Sequence, residues 1–309
     1  MKKQKFPAFI FIIAMFVTLA CSGGGSGSGG GDDNRIKDTV AGVDFYLRYV
    51  PDGTFTVQSG GRPQMTITTG YWMAETEVTQ DLWKAVMTGS ANNATPSSFK
   101  SSPATNEEQG KRPVENITWF DAIEFCNKLS EKTNKSPAYN LTVKASNRYK
   151  GSIVALATTV TIIAGSTGYR LPTEMEWMWA AMGAENPSGG YAKKYAGGGT
   201  ENTVGIELCA WYSGNSLTNR KTHEVGLLEA NELGLYDMSG NVVEWCYDQS
   251  KGSGYPTTMP DDYSNSTGNA RVIRGGSYND AATNCTVAYR RFMNPGMSDI
   301  NIGFRVMCP

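Results

Sequence analysis

A loop-rich α+β fold is the class this chain predicts, and three observations predict it. The 309 residues carry 35 glycines, 15 tyrosines and 7 tryptophans beside a single histidine. That mixture suits aromatic packing between turns that need positive φ. Runs with strand-like alternation lie toward both ends of the chain, with helix-capping signals between them. The length fits one large domain, or one domain carrying insertions. A net charge of -1 gives no electrostatic case for nucleic acid or for an anionic membrane surface. With His223 as the sole histidine, a His-rich zinc or iron site cannot be built. Any Ser-His or Cys-His mechanism would have to run through that residue.

The N-terminus reads as a targeting signal. Met1-Lys2-Lys3 and Lys5 form a positive region, followed by the apolar run Phe6 to Ala20. Pro7 and a length of roughly 15 residues argue against a spanning helix. Thr18-Leu19-Ala20-Cys21 resembles a bacterial lipobox, with Thr18 where leucine is usual. The expectation is a signal peptide over 1–20 and a lipidated Cys21. Ser22 to Gly31 reads SGGGSGSGGG, a flexible spacer with a reach of roughly 20 Å. Residues 21–38 are therefore expected to be a tether and 39–309 a single domain.

Within that domain, Thr39 to Val57 alternates apolar and polar residues and predicts a hairpin turning at Asp52-Gly53. Met65 to Met73 predicts a strand leading through Glu75-Thr76-Glu77-Val78-Thr79 into a helix over Gln80 to Met87, with Thr79 as its N-cap. Asn92 to Gly110 is a polar loop. Thr118 can cap a helix running to about Thr133, with Ile123, Phe125, Cys126 and Leu129 on its core side. Val143 to Ala164 contains a β-branched run that predicts an inserted hairpin. Thr173 and Glu176 have capping-box spacing, after which Trp177, Ala180 and Ala181 face the core. Arg170 and Glu174 are candidates for a structural ion pair. Near the C-terminus, Asn294-Pro295 is a turn and Ile302 to Val306 a core strand.

Four phrases carry a family resemblance: ETEVTQ at Glu75–Gln80, GYRLPTEMEW at Gly168–Trp177, NELGLYDMSGNVVEW at Asn231–Trp245, and the pair RVIRGGSY and NIGFRV at Arg271–Tyr278 and Asn301–Val306. They resemble the formylglycine-generating enzyme (sulfatase-modifying factor) family over roughly Ala41 to Pro309. The resemblance implies a variant of the C-type lectin fold. In that family the turn at Asp237 to Glu244 commonly holds calcium through oxygens that fall here on Asp237, Gly240, Val242 and Glu244, a hard-ligand set on a Gly-Asn turn. A metal-free turn, with Glu244 accepting backbone N–H groups, is the alternative. The resemblance further places Cys126 at a disulfide position whose partner falls on Val306, with Cys308 nearby as a substitute. Six cysteines less Cys21 leave five, an odd number with no CxxC spacing, so a zinc site is not expected.

The family's oxidases hold copper(I) between two thiolates, and the resemblance places these on positions 280 and 285. Position 285 is Cys285 but position 280 is Asp280, and a carboxylate is a poor ligand for soft copper(I). No copper is therefore expected. One branch of the family serves as variable proteins of diversity-generating retroelements, and the chain resembles the treponemal variable lipoproteins in lipobox, tether, body and C-terminal segment. Between the framework phrases of 271–309 lie positions with no evident structural demand: Asn279, Asp280, Ala281, Thr283, Thr286, Tyr289, Arg291, Phe292, Met293, Met297, Ser298, Asp299 and Asn301. Tyr, Phe, Arg and Met are residues that protein-binding surfaces use. The leading expectation is a non-catalytic lipoprotein of the bacterial outer membrane, exposed at the cell surface and monomeric. It would bind a protein or other surface ligand through these positions and touch the membrane only through its lipid. A divergent oxidase or other enzyme of the same family is the second reading, and a structural envelope protein the third. The family's iron-dependent sulfoxide synthases need several histidines and are excluded.

Overall fold

The computed structural model describes residues 33–56, 64–89, 94–142, 148–149, 152–153, 159–185, 194–197, 205–216, 220–250 and 270–309. The expected signal peptide, Cys21 and the Gly/Ser spacer lie outside these, as does much of the Val143 to Ala164 insertion. The strands in chain order are β1 (Arg35–Val40), β2 (Val43–Val50), β3 (Gly53–Thr56), β4 (Gln64–Ile67), β5 (Tyr71–Ala74), β6 (Tyr139–Thr142), β7 (Arg148–Tyr149), β8 (Ser152–Ile153), β9 (Thr159–Ile162), β10 (Val243–Gln249), β11 (Arg271–Arg274), β12 (Arg290–Met293), β13 (Ile302–Gly303) and β14 (Met307–Cys308). The helices are α1 (Gln80–Met87), α2 (Trp119–Lys132), α3 (Glu174–Ala181) and α4 (Ile206–Cys209). No helix among the described residues is long and apolar enough to cross a membrane.

Two four-stranded sheets organise the chain. One has the order β1-β2-β5-β14, so that a strand from the last residues closes the N-terminal sheet. The other has the order β12-β11-β10-β13, with β13 parallel to β10 and the remaining pairs antiparallel. Every strand of this second sheet comes from 243–303. Helices α1 and α2 share one apolar cluster, where Trp83 stacks on Phe125 at 5.2 Å and Phe304 meets both rings edge-on. Helix α3 is buried along its whole length in a second cluster with Met65, Met73 and Val272. A helix without a polar face can form because its ends are capped. The Thr173 hydroxyl accepts from the Glu176 N–H while the Glu176 carboxylate accepts from the Thr173 N–H. Thr118 and Asp121 make the same box on α2, and Thr79 caps α1.

Several expectations need correction. The first hairpin turns at Ala41-Gly42, not at Asp52-Gly53, and its first strand starts at Arg35. Both turn residues have positive φ (49° and 83°), as a two-residue hairpin loop of matching twist requires. The Asp52-Gly53 step instead leads into β3, which pairs with β4. The single strand expected over Met65 to Met73 is broken after Ile67, and at Gly70 a Cβ would collide with the Tyr49 hydroxyl at 2.2 Å. The inserted hairpin is present in outline, with β6 pairing β9 and β7 pairing β8. Cys126 is a buried free thiol, so it has no bond to Cys308.

Arg170 pairs with Glu176 and not with Glu174, through two contacts of 2.8 and 2.6 Å. Glu174 is reserved for the C-terminal half. It is fully buried and receives Arg274 at 2.8 Å and Arg290 at 2.5 and 2.8 Å, while its N–H donates to Asp248. Replacing Glu174 with alanine would remove the buried carboxylate that Arg274 and Arg290 share. The expected loss is about 3–5 kcal/mol of stability, read from urea denaturation. A variant that unfolds at the wild-type midpoint would show that the pairs are not holding this end of the fold.

Candidate ligand-binding site

The C-terminal segment is hung from β10 and α3 by its framework residues. β11 ends at Arg274, and the chain then turns through Gly275 (φ 94°) and Gly276 (φ 73°). A Cβ on Gly276 would meet the Asn284 carbonyl at 2.5 Å and the Cys285 sulfur at 2.7 Å, so only glycine passes there. Tyr278 is buried edge-on against Phe99 at 5.5 Å. A short turn at Ala282–Asn284 buries Cys285, and β12 then pairs with β11 in the register Ile273↔Arg291. Beyond the Asn294-Pro295-Gly296 turn, residues 297–301 cross to β13. β13 leads into Phe304, Arg305 and Val306, all buried, and then into β14.

The thirteen positions named from the sequence divide cleanly by exposure. Asn279, Ala281, Thr283, Phe292, Met297, Ser298 and Asp299 are exposed, and Asp280, Thr286, Tyr289, Arg291, Met293 and Asn301 are half-buried. None is buried. Of the framework residues between and around them, Arg274 to Tyr278, Val287 and Ile302 to Val306 are buried, while Ala288 and Arg290 are half-buried. Several of the thirteen also anchor the chain through backbone atoms. The Asp280 carbonyl accepts from Ser213 N–H, the Asp299 carbonyl from Asn116 and Ile302, and the Asn301 carbonyl from Val243. Those bonds persist whatever side chain each position carries.

Not every one of the thirteen is brought to the same place. Asp280, Tyr289 and Arg291 meet: the Arg291 guanidinium donates to both Asp280 carboxylate oxygens at 3.1 and 2.9 Å and lies 5.7 Å from the Tyr289 ring. Phe292 lies under the Arg290 guanidinium at 4.7 Å. Ser298, Asp299 and Asn301 gather around Asn116. Met293 leans on the main core and Thr283 touches Asn284. Phe292 and Met297 are 41% and 56% exposed, as is Ile300 at 44%, a residue the sequence reading passed over although it sits between two of its positions. A cavity of about 600 Å³ between β2, β5 and α1 is lined by none of the thirteen.

The metal expectations meet specific obstacles. Glu244 was expected to bind calcium, but Arg305 donates to both its oxygens at 2.6 to 2.9 Å and Trp177 Nε1 to one of them at 2.7 Å. Both carboxylate oxygens are thus already committed to donors, one of them a cation. Asp237 has one oxygen on the Gly226 N–H and the other buried without a partner, and burial pushes its carboxyl up to about 6. The sequence reading missed Glu77, which clamps the turn by accepting from Val242 N–H and the Asn241 side chain. Asp237, Gly240, Val242 and Glu244 therefore do not fit a calcium ion as they stand.

At the family's copper position, Asp280 accepts from the Ser277 hydroxyl as well as from Arg291. The second thiol near Cys285 is one the sequence did not bring there. Cys209, from α4, shares its small apolar cluster. Burial pushes both thiols up to about 12, so each stays protonated at neutral pH.

This arrangement is an α+β fold of the C-type lectin-like kind, in the form taken by formylglycine-generating enzymes. The chain belongs to the sulfatase-modifying factor enzyme 1-like domain family, whose model matches residues 46–308. Among solved structures it is similar to Treponema denticola variable protein 1, at 37% identity and a TM-score of 0.75, over 89% of this chain and 98% of that one. It is also 32% identical to the chaperone protein LppX of Paenibacillus barcinonensis, over 96% of this chain and 95% of that protein. The formylglycine-generating enzyme of Streptomyces coelicolor is 37% identical over 152 residues, less than half of either chain.

Melting curves recorded with millimolar calcium and with excess chelator should coincide, because the ion would have to displace Arg305 from Glu244. A calcium-dependent rise in melting temperature would contradict the geometry at Glu244.

Proposed function

We propose that this protein is a non-catalytic, lipid-anchored surface protein that binds ligands through its C-terminal segment. On this reading it is a variable protein of a diversity-generating retroelement. One observation carries the proposal: exposed and half-buried side chains at the thirteen positions alternate with buried framework residues anchored by glutamates outside the segment. Side chains other than Met293, which packs against the main core, can then change without removing a core contact or a buried charge pair. The similarity to the Treponema variable protein over nearly its whole length supports the same reading. Lipidation at Cys21, with Ser22 to Gly31 as spacer, would hold the domain away from the outer membrane, and LppX, similar end to end, supports a lipoprotein. The ligand is a protein or other surface molecule, not a nucleic acid, and the protein acts as a monomer.

Sequencing the gene's 3′ end across a population of cells tests the proposal. Substitutions should concentrate in the codons of Asn279 to Asn301 named above, beside a near-copy of the DNA for 271–309 that differs chiefly at adenines. An invariant 3′ end with no such copy would contradict it.

The proximity of Cys209 to Cys285 favours one other reading, a divergent family oxidase whose thiol pair comes from different positions. Copper(I) titration separates the two. The binding protein takes up no stoichiometric copper, whereas tight binding of one equivalent that is lost in Cys285→Ser would favour the oxidase.

A further inference from the structure

We infer that Asp280 and Arg291 act as a single specificity element, in which the residue at 280 decides whether the site presents a free guanidinium. This rests on the binding role proposed above. The two side chains form a fork-to-fork pair at 3.1 and 2.9 Å, and Ser277 fixes the carboxylate from behind at 2.6 Å. Such a pair satisfies the planar guanidinium with the one geometry that also suits a ligand carboxylate. Its neighbour on β12, Arg290, is committed to Glu174. With Asp280 in place, the Arg291 charge is therefore matched within the protein, and the side chain beside it is the Tyr289 ring. The fitting partner presents neutral, apolar or aromatic side chains.

Exchange of Asp280 for an uncharged residue changes the ligand class. The backbone at 280 is held by Ser277 and Ser213 through main-chain bonds, so the loop does not depend on the carboxylate. Arg291 is already 31% exposed and can turn to water or to a ligand. It would then offer an unoccupied fork beside the Tyr289 ring, a site for a carboxylate-bearing partner. Two positions eleven residues apart in the sequence thus determine one property, and neither can be read without the other.

The test uses Asp280→Asn, Arg291→Met and the double variant, with rhodamine-labelled hexaglutamate and hexalysine as probes and fluorescence anisotropy as the readout. In low salt Asp280→Asn should bind hexaglutamate about tenfold or more tighter than the wild type. The gain should vanish in the double variant and at about 0.5 M salt. Arg291→Met should gain affinity for hexalysine by the same logic, and circular dichroism should be native for each. Equal hexaglutamate binding by wild type and Asp280→Asn overturns the inference, and so does a gain that survives Arg291→Met. If Asp280→Asn misfolds, the hexalysine arm decides; misfolding of both single variants would make the pair a structural contact and overturn it too. These outcomes are independent of whether the codons vary in nature, so failure here leaves the binding role standing.

Discussion

Two buried glutamates hold the C-terminal third of this protein, and the rest of the fold's behaviour depends on them. Glu244 on β10 receives Arg305, and Glu174 at the start of α3 receives Arg274 and Arg290. Arg274 and Arg305 belong to the two framework phrases, and Arg290 lies between them on β12, among the displayed positions. Burying such charges costs several kcal/mol per ion, recovered only when geometry and hydrogen bonding are complete. Here they are nearly so: Arg305 adds bonds to the carbonyls of Ala74 and Tyr236, and Arg274 to those of Val287 and Tyr289. The pairs are thereby specific about register. A strand slipped by one residue would strand a guanidinium in the core.

That register control makes a changeable surface compatible with a single fold. The backbone of 279–301 is fixed by glycine turns, by ladder bonds to β11 and by carbonyls that accept from Ser213, Asn116 and Val243. Side chains at the displayed positions add contacts among themselves, such as the Asp280–Arg291 pair, and a few touch the frame, as Asp280 does at Ser277 and Met293 at the main core. The turn Asp237 to Glu244 belongs to the frame. Glu77, pushed well above the usual carboxylate range by burial, clamps it from β5's exit.

Much of this was legible in the sequence, and the failures share a cause. The three helix caps followed from local spacing, as did the α+β class. The misplaced first turn came from trusting Asp52-Gly53, a strong local turn signal, over Ala41-Gly42, which turns because β2 finds its partner in Arg35 to Val40. The Arg170 partner was misjudged because Glu174 and Glu176 are equivalent locally, and only residues a hundred positions away decide between them. The Arg305 pairing at Glu244 was hidden for the same reason, since the two are 61 residues apart. Cys209 reached Cys285 through a turn that no local pattern announces.

The central claim is that the frame folds without help from what it displays, and one measurement tests it most directly. The twelve of the thirteen positions from Asn279 to Asn301 that are not already alanine are changed to alanine in one chain, and its thermal unfolding is followed by near-ultraviolet circular dichroism. The account predicts a single cooperative transition and a native aromatic signal, because Trp83, Trp119, Trp177, Trp245 and Tyr278 keep their contacts. A broad, non-cooperative melt with a collapsed aromatic signal would contradict it.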